Sequence, residues 1–151
     1  MALRPKTTVT LKADARGSSH SRADVTIRDL GFAIDEPTER GGTNAGPTPT
    51  DTALSALIGC TNVIGHKCAT KLGVDIGHLQ ISVACQFDRR GVTLSEEIDV
   101  PFQSITQTVL SDGTATDQEL QAVASEVEKY CPLAKLFVAA GTELTTIWRK
   151  A

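Results

Sequence analysis

Aromatic residues are scarce in this chain of 151 residues, where they make up 4% of the sequence, with one tryptophan and one tyrosine. These two residues, Trp148 and Tyr130, are not interleaved with the basic residues that accompany aromatics on nucleic-acid surfaces. The net charge of −3 also argues against a nucleic-acid-binding protein, because such domains are usually strongly basic. We therefore expect no nucleic-acid partner.

Long hydrophobic runs are absent as well. No stretch approaches the roughly 18 apolar residues of a membrane span, and the opening MALRPKTTVTL has no apolar signal core. We expect a cytoplasmic protein without a membrane partner. The glycines of ERGGTNAGP fit neither the dinucleotide nor the P-loop spacing, and His66 and Cys68 form only an H-x-C pair on different helix faces. We expect no organic cofactor and no metal.

The composition, 40% hydrophobic and 22% charged, is that of an ordinary globular protein, and the length suits a single domain over residues 1–151. Hydrophobic periodicity predicts an α+β fold. Strands are predicted at Thr7–Ala13, in RADVTIRD and GFAIDEP, in HLQISVACQFDRR, in LSEEIDVPFQSITQTVL with Pro101 at an edge or bulge, and in ELTTIWRK. An amphipathic helix is predicted after the capping box Thr116-x-x-Glu119, and a short helix over Leu133 to Ala140.

A long helix is predicted between these strands. Thr48 suits the N-cap, Pro49 suits the first helical position, Asp51 completes a capping box, and Gly73 is a plausible stop. The segment from residue 52 to 66 contains no charged residue and is apolar nearly all round. Such a helix must be buried on every side, and a second subunit would help to cover it. Close packing would also explain Gly59 and Gly65 within it.

Two cysteines stand in contrasting settings. Cys131 precedes a proline, which places it at a helix N-cap, where free N–H groups and the helix dipole lower a thiol pKa. It is either a reactive thiol or a buried cysteine that happens to precede proline. Cys60 lies in the apolar helix, where core packing is the default interpretation. As a nucleophile it would need a cation from elsewhere, and the candidates are Arg16, Arg22, Arg28 and Arg40. Cys68 and Cys85 are interpreted as core residues.

Two motifs resemble the OsmC/Ohr group of thiol peroxidases. GGTNAGPTPTDTALSALIGC is similar to that family's G-x-N-P-[ST]-E-x-L-L-x-A-L-x-x-C pattern, and CPLAKLF is similar to its C-P-x-[SA]-[KR]-x-[LF] pattern. The order of the predicted elements also fits, and the resemblance spans nearly the whole chain. It implies an OsmC-like fold with antiparallel sheets packed around a central cysteine-bearing helix, in an intertwined homodimer.

The resemblance also implies roles for individual residues. Cys60 matches the peroxidatic cysteine, Cys131 the resolving cysteine, and Arg22 the activating arginine, with Arg16 next. The family's glutamate near the start of the cysteine helix has no counterpart here, because Thr50 and Asp51 occupy that turn. Asp51 is the carboxylate left for this role.

The resulting hypothesis is a thiol peroxidase of the oxidative stress response, which reduces alkyl or lipid hydroperoxides through a Cys60 sulfenic acid and a disulfide with Cys131. A dithiol reductant must regenerate it, and the family suggests lipoyl groups on proteins. Two alternatives remain: a non-catalytic redox sensor using the same disulfide, and a small apolar-ligand-binding dimer whose cysteines are structural.

Overall fold

The computed structural model describes residues 4–151 as an α+β structure with two three-stranded sheets. Two compact units divide the chain, Met1–Ala53 and Leu54–Ala151. The elements of the described residues are β1 (Asp14–Gly17), β2 (Ala23–Ile27), β3 (Leu30–Ile34), α1 (Pro49–Leu72), β4 (Leu79–Phe87), β5 (Phe102–Ser111), α2 (Asp117–Tyr130), α3 (Pro132–Ala139) and β6 (Glu143–Lys150), with a 3₁₀ turn at Thr38–Arg40. The interpretation of residues 1–151 as one domain stays a prediction.

The first unit holds an antiparallel sheet in the order β1-β2-β3. The expected strand over Thr7–Ala13 is wrong, because β1 begins only at Asp14. The alternating apolar residues of the expected strand, Val9 and Leu11, are 67% and 89% exposed and pack on nothing that would hold a strand. The register of β1 is set instead by a turn in which the Ser18 N–H donates to the Arg22 carbonyl at 3.0 Å.

A buried carboxylate organises the loop between β3 and α1. Asp35 is fully buried and accepts hydrogen bonds from the backbone N–H groups of Glu36 at 2.8 Å, Thr43 at 3.0 Å and Ala45 at 3.2 Å. The Thr43 hydroxyl also donates to Asp35 at 2.5 Å. These donors, led by Thr43, hold the Asp35 pKa far below its usual range despite burial. Asp35 therefore fixes the glycine-rich loop that leads to the start of α1.

Helix α1 begins and ends where the sequence predicts. The Asp51 N–H donates to the Thr48 hydroxyl at 3.1 Å, and the Thr48 N–H donates to the Asp51 carboxylate at 3.3 Å, which completes the capping box. Pro49 is the first helical residue, and Gly73 follows the last one with a φ of 69°. Within residues 4–151, no helix combines the length and apolar character needed to cross a membrane.

The second unit contains the mixed sheet β4-β5-β6. Strands β4 and β5 pair antiparallel, and the side of β4 that carries Ile81, Val83 and Cys85 is the less exposed one, as predicted. Strands β5 and β6 pair parallel, so the expectation of purely antiparallel sheets is wrong here. The reason is the connection through α2 and α3, which is long enough to return the chain to the same end of the sheet.

Strand β5 is shorter than its alternating sequence predicts. Residues 89–94 form turns, residues 95–101 are bends or irregular, and the strand begins at Phe102, directly after Pro101. Arg90 holds these turns through ion pairs with Asp88 at 2.7 Å and Glu96 at 2.7 Å. Proline cannot donate to a ladder, which is why the strand starts only beyond it. The final strand β6 and the amphipathic helix α2, with its Thr116 capping box, are confirmed.

Within this chain only one face of α1 is buried, so the expected burial on every side, which needs a second subunit, stays a prediction. The buried residues recur at helical spacing and are Leu57, Thr61, Gly65, Cys68 and Ala69. A Cβ on Gly65 would lie 2.9 Å from Cη2 of Trp148, so this glycine serves packing within the chain. Gly59 is exposed and a Cβ there would meet nothing within 4 Å, and Val63 is 52% exposed. An uncharged surface of α1 is therefore left uncovered.

The contact between Gly65 and Trp148 leads to a stability prediction. We expect Gly65→Ala to lower the free energy of unfolding by about 1 kcal/mol, the net of an overpacking cost of roughly 1–3 kcal/mol and a helix-propensity gain of about 1 kcal/mol. Denaturant unfolding measures the change. In a Trp148→Phe background, which lacks the contacting ring edge, the same substitution should become neutral or stabilising; an unchanged cost there would contradict the packing explanation.

Candidate active site

The position of Cys131 follows from the break between α2 and α3. Cys131 ends α2 and is the N-cap of α3, with the extended torsions φ −72° and ψ 110° that a residue before proline prefers. Its sulfur accepts a hydrogen bond from the Ala134 N–H at 3.4 Å. The side chain has no exposed surface. The predicted N-cap is therefore confirmed, and it holds the thiol in the interior.

The structure brings Cys60 and Cys131 together. Cys60 lies on α1 and is half-buried, and the Sγ atoms of the two residues are 3.1 Å apart, with Cys131 donating to Cys60. Both are free thiols. A disulfide bond is about 2.05 Å long, so only a small approach of the two sulfurs separates this pair from a disulfide. Of the two, Cys60 is the one that solvent or a substrate can reach.

The pKa of Cys131 differs from the sequence-based expectation. The N-cap position predicts a lowered pKa, but the pKa of Cys131 is raised, first because the thiol is buried. The hydrogen bond from Ala134 acts in the opposite direction but is outweighed, and the bond with Cys60 raises the pKa further. Cys131 is therefore held as a neutral thiol that can donate a proton toward Cys60.

Of the other two cysteines, Cys68 is a core residue, as predicted, whereas Cys85 is only partly buried in this chain. Cys68 is 4% exposed, and Cys85 is half-buried on the inner side of β4. Burial raises the pKa of each thiol, and the nearby Glu126 carboxylate raises that of Cys68 further. Neither residue has the environment of a reactive cysteine.

The candidate arginines lie in the first unit, and two of them have carboxylate partners there. Arg22 pairs with Asp24 at 2.8 Å and is 40% exposed. A hydrogen bond from Ser18, followed by that from Arg22, lowers the Asp24 pKa. Arg40 pairs with Glu36 at 2.6 Å, and Arg16 lies opposite Asp24 in the strand register. The role predicted for Arg22 stays a prediction.

Asp51 serves the start of α1. Its carboxylate accepts the Thr48 N–H at 3.3 Å, and its own N–H donates to the Thr48 hydroxyl. This is the capping role that its position predicts. A role for Asp51 in place of the family's glutamate stays a prediction.

His66 and Cys68, which form the weak zinc pattern, lie in different surroundings on α1. Both ring nitrogens of His66 lie 2.9 Å from backbone carbonyl oxygens, those of Asn62 and Gly77. Cys68 is buried elsewhere on the helix. Among residues 4–151, no three histidine, cysteine or acidic side chains group closely enough to hold a metal ion.

An ion cluster that sequence reasoning missed ties α1 to the end of α2. Glu126 is 15% exposed and contacts Lys71 Nζ at 3.0 Å and Lys129 Nζ at 2.6 Å. Hydrogen bonds from Lys129 and then Lys71 lower the Glu126 pKa, and the bond to Glu126 raises the Lys71 pKa. Lys71 also lies 5.0 Å from the ring centre of Tyr130, the residue before Cys131. The cluster thus joins the last turn of α1 to the turn that carries Cys131.

Thr61 and Gln107 form a buried polar pair. Thr61 directly follows Cys60 in the sequence and lies on the buried face of α1. The Thr61 hydroxyl donates to Gln107 Oε1 at 3.2 Å and accepts from Gln107 Nε2 at 3.0 Å. The exposed fractions of the two residues are 1% and 2%. The pair fixes the rotation of α1 against β5, because an alternative rotation would leave a buried amide without a partner. The signal that could have revealed it is the position of Gln107 midway between Ile105 and Val109, in the same alternation as these two apolar residues.

The Glu126 cluster should control how readily the two cysteines form a disulfide. We expect Glu126→Gln to slow diamide-driven formation of the Cys60–Cys131 disulfide by roughly tenfold, because small misplacements of reacting groups carry large rate penalties. Rapid acid quenching, alkylation and mass spectrometry measure the rate. Glu128→Gln removes the same charge two residues away and should leave the rate unchanged, and the reversed pair Lys71→Glu with Glu126→Lys should restore it in part. Equal rates in the two single variants would contradict a positioning role.

The family of this chain follows from comparison with known proteins. Residues 42–147 match the family described as OsmC-like protein. No curated protein matches the chain in sequence. Similar solved structures include an OsmC-like protein from Mycoplasma pneumoniae, with 16% identity, a TM-score of 0.79 and coverage of 95% of this chain and 98% of that one.

Two further structures carry names that refer to hydroperoxides. One is an organic hydroperoxide resistance protein OsmC from Legionella pneumophila, with 14% identity, a TM-score of 0.70 and coverage of 95% and 98%. The other is the organic hydroperoxide resistance protein OhrB of Bacillus subtilis, with 18% identity, a TM-score of 0.65 and coverage of 93% and 98%. At these identities the likeness is one of fold, and the match over residues 42–147 establishes that the chain belongs to the OsmC-like protein family.

Proposed function

We propose that this protein is a thiol-dependent peroxidase that reduces organic hydroperoxides. The observation that supports it most is the contact of the half-buried Cys60 with the buried Cys131, whose sulfurs are 3.1 Å apart. Similar structures named organic hydroperoxide resistance proteins suggest the substrate class. The proposed site thus consists of the accessible thiol of Cys60 and the buried thiol of Cys131 next to it.

The proposed reaction needs no oxidant beyond the hydroperoxide. The Cys60 thiolate attacks one peroxide oxygen, the O–O bond breaks, and the second oxygen leaves with a proton as the alcohol. Cys60 retains one oxygen as a sulfenic acid. The Cys131 sulfur then attacks the Cys60 sulfur, the S–S bond forms, and the hydroxyl group leaves as water with the Cys131 proton. An external dithiol reduces this disulfide and is itself oxidised to a disulfide.

The neutral state of Cys131 suits its proposed part in this sequence. Burial raises its pKa, so it does not compete as a thiolate for the hydroperoxide. Its S–H donates to the Cys60 sulfur at 3.1 Å, which keeps the two sulfurs within reach of each other. Cys60 is therefore the proposed nucleophile, and Cys131 the proposed resolving residue.

A cation is the proposed second support of the Cys60 thiolate. Arg22 is the first choice, with Arg16 and Arg40 as the alternatives, and a guanidinium would stabilise both the thiolate and the leaving oxygen. Asp51 is the proposed counterpart of the family's glutamate. The natural reductant is proposed to be a dithiol such as a protein-bound lipoyl group, and the proposed location is the cytoplasm, in the response to oxidative stress.

The uncovered surface of α1 supports the proposal of a homodimer. Gly59 and the apolar Val63 lie exposed on an uncharged stretch of this helix. We expect Gly59→Leu to weaken the dimer by disturbing close helix packing, whereas Arg89→Ala, an exposed change in the turn after β4, should not. Light scattering at micromolar concentration measures the mass. A well-folded monomer of the unmodified chain would refute the dimer.

Turnover with an organic hydroperoxide tests the proposed activity. We expect Cys60→Ser to abolish consumption of cumene hydroperoxide in the presence of a dithiol. Cys131→Ser should react once and leave Cys60 as a sulfenic or more oxidised acid, detectable by mass spectrometry, while Cys68→Ser and Cys85→Ser should remain active. One stoichiometric oxidation of the unmodified chain without cycling would indicate a redox sensor instead.

The same assay separates the candidate arginines. Arg22→Met should slow peroxide reduction by about an order of magnitude or more, as expected for the loss of one charge-stabilising donor. Arg16→Met and Arg40→Met are the matched controls. Alkylation of Cys60 against pH, with the other three cysteines replaced by serine, tests the cause directly. A shifted profile in a control variant, beside an unchanged one in Arg22→Met, would transfer the role to that arginine.

A further inference from the structure

A cavity of about 550 Å³ lies in the second unit, between the helices and the sheet. Its lining comes from α1, β5, α2, α3 and β6, all within Leu54–Ala151. Neither Cys60 nor Cys131 is among the lining residues, so the cavity is separate from the sulfur pair. Its size lies in the range of small-molecule binding sites, about 300–1,000 Å³.

The walls of the cavity are mostly apolar. Val127 and Ala134, which flank the Cys131 turn on either side, contribute to them, as do Ala124, Val138 and Leu144. Two charged residues also line it, Glu128 and Lys135, and both are exposed. Because their charges are opposite, the mouth of the cavity does not select an ion of either sign.

Two neutral polar side chains that carry hydrogen-bond donors line the cavity. Trp148 is 2% exposed, and its indole Nε1 is buried without a hydrogen-bond partner among residues 4–151. Gln107 is equally buried. Among residues 4–151 its side-chain amide hydrogen-bonds only with the Thr61 hydroxyl, so one of its two amide N–H groups has no acceptor. Buried polar groups without partners are destabilising, so they are rare unless something binds them.

From this combination we propose that the cavity is a binding site for a small neutral organic molecule with an apolar body and one acceptor oxygen, such as a ketone or alcohol. The apolar walls bury the body of the ligand, and the indole N–H of Trp148, supported by the Gln107 amide, donates to its oxygen. A carboxylate is disfavoured, because the buried donors are neutral and the exposed Lys135 is balanced by Glu128. The site does not depend on the proposed peroxidase activity.

The single tryptophan of the chain makes the test specific, because a ¹⁵N-labelled sample has one indole N–H signal. The probes are methyl hexyl ketone and octanoate, which have the same number of carbon atoms but differ in charge. We expect the ketone to move the indole signal downfield in a saturable manner, with octanoate at least tenfold weaker.

Two threonines on β6 provide matched variants. Thr146 lines the cavity, whereas Thr145 is exposed on the opposite side of the same strand. Thr146→Phe should fill the cavity and abolish the ketone-dependent shift, and Thr145→Phe should retain it. Both variants must first give the dispersed spectrum of the folded chain; if Thr146→Phe does not, Val138→Phe on α3 replaces it.

Two results would overturn the proposal. If the ketone leaves the indole signal of the unmodified protein unmoved up to its solubility limit, the cavity holds no such ligand. If octanoate binds as tightly as the ketone, or if the cavity-filling variant retains the shift, the ligand class or the site is wrong. Neither result bears on hydroperoxide turnover, so failure here and failure of the peroxidase proposal remain distinguishable.

Discussion

The peptide bond between Cys131 and Pro132 determines how the helical half of the molecule is arranged. Proline keeps the preceding residue out of the helical region, so α2 must end there and α3 must begin immediately. The resulting corner turns the Cys131 side chain inward against α1, where its sulfur meets Cys60. The same corner supplies residues on both of its sides to the cavity.

The two thiols have become chemically different because of this arrangement. Cys131 has no exposed surface and a raised pKa, and it donates a hydrogen bond rather than carrying charge. Cys60 remains half-buried and accepts that bond. This difference matches the proposed roles, in which Cys60 reacts with the hydroperoxide and Cys131 then reacts with the oxidised Cys60.

Polar groups inside the second unit fix the geometry around the pair. Thr61 and Gln107 hold α1 in one rotation against β5, and Glu126 joins α1 to the last turn of α2 through Lys71. Each of these contacts connects elements far apart in the chain, and the Thr61–Gln107 pair is shielded from water, whereas Lys71 is 58% exposed. Gln107 also faces the cavity, so one buried amide links the packing of α1 to the site proposed for a neutral ligand.

Local features of the sequence determined the caps, breaks and periodicity of this protein. Features that depend only on neighbouring residues are predictable. They are the capping boxes at Thr48 and Thr116, the helix end at Gly73 and the break before Pro132. Periodicity cannot reveal features that depend on distant partners or on competing local hydrogen bonds. These features are the late start of β1 at Asp14, the turns before Phe102 and the parallel pairing of β6.

The same distinction applies to the candidate site. Sequence motifs identified Cys60 and Cys131, because each lies in a recognisable local pattern. Only the tertiary structure decided that their sulfurs touch and that burial outweighs the helix N-terminus in setting the Cys131 pKa. It also decided that Glu126 joins α1 to α2 and that Gln107 and Trp148 line one cavity. Desolvation depends on everything packed around a group, and the sequence near Cys131 contains only a small part of that environment.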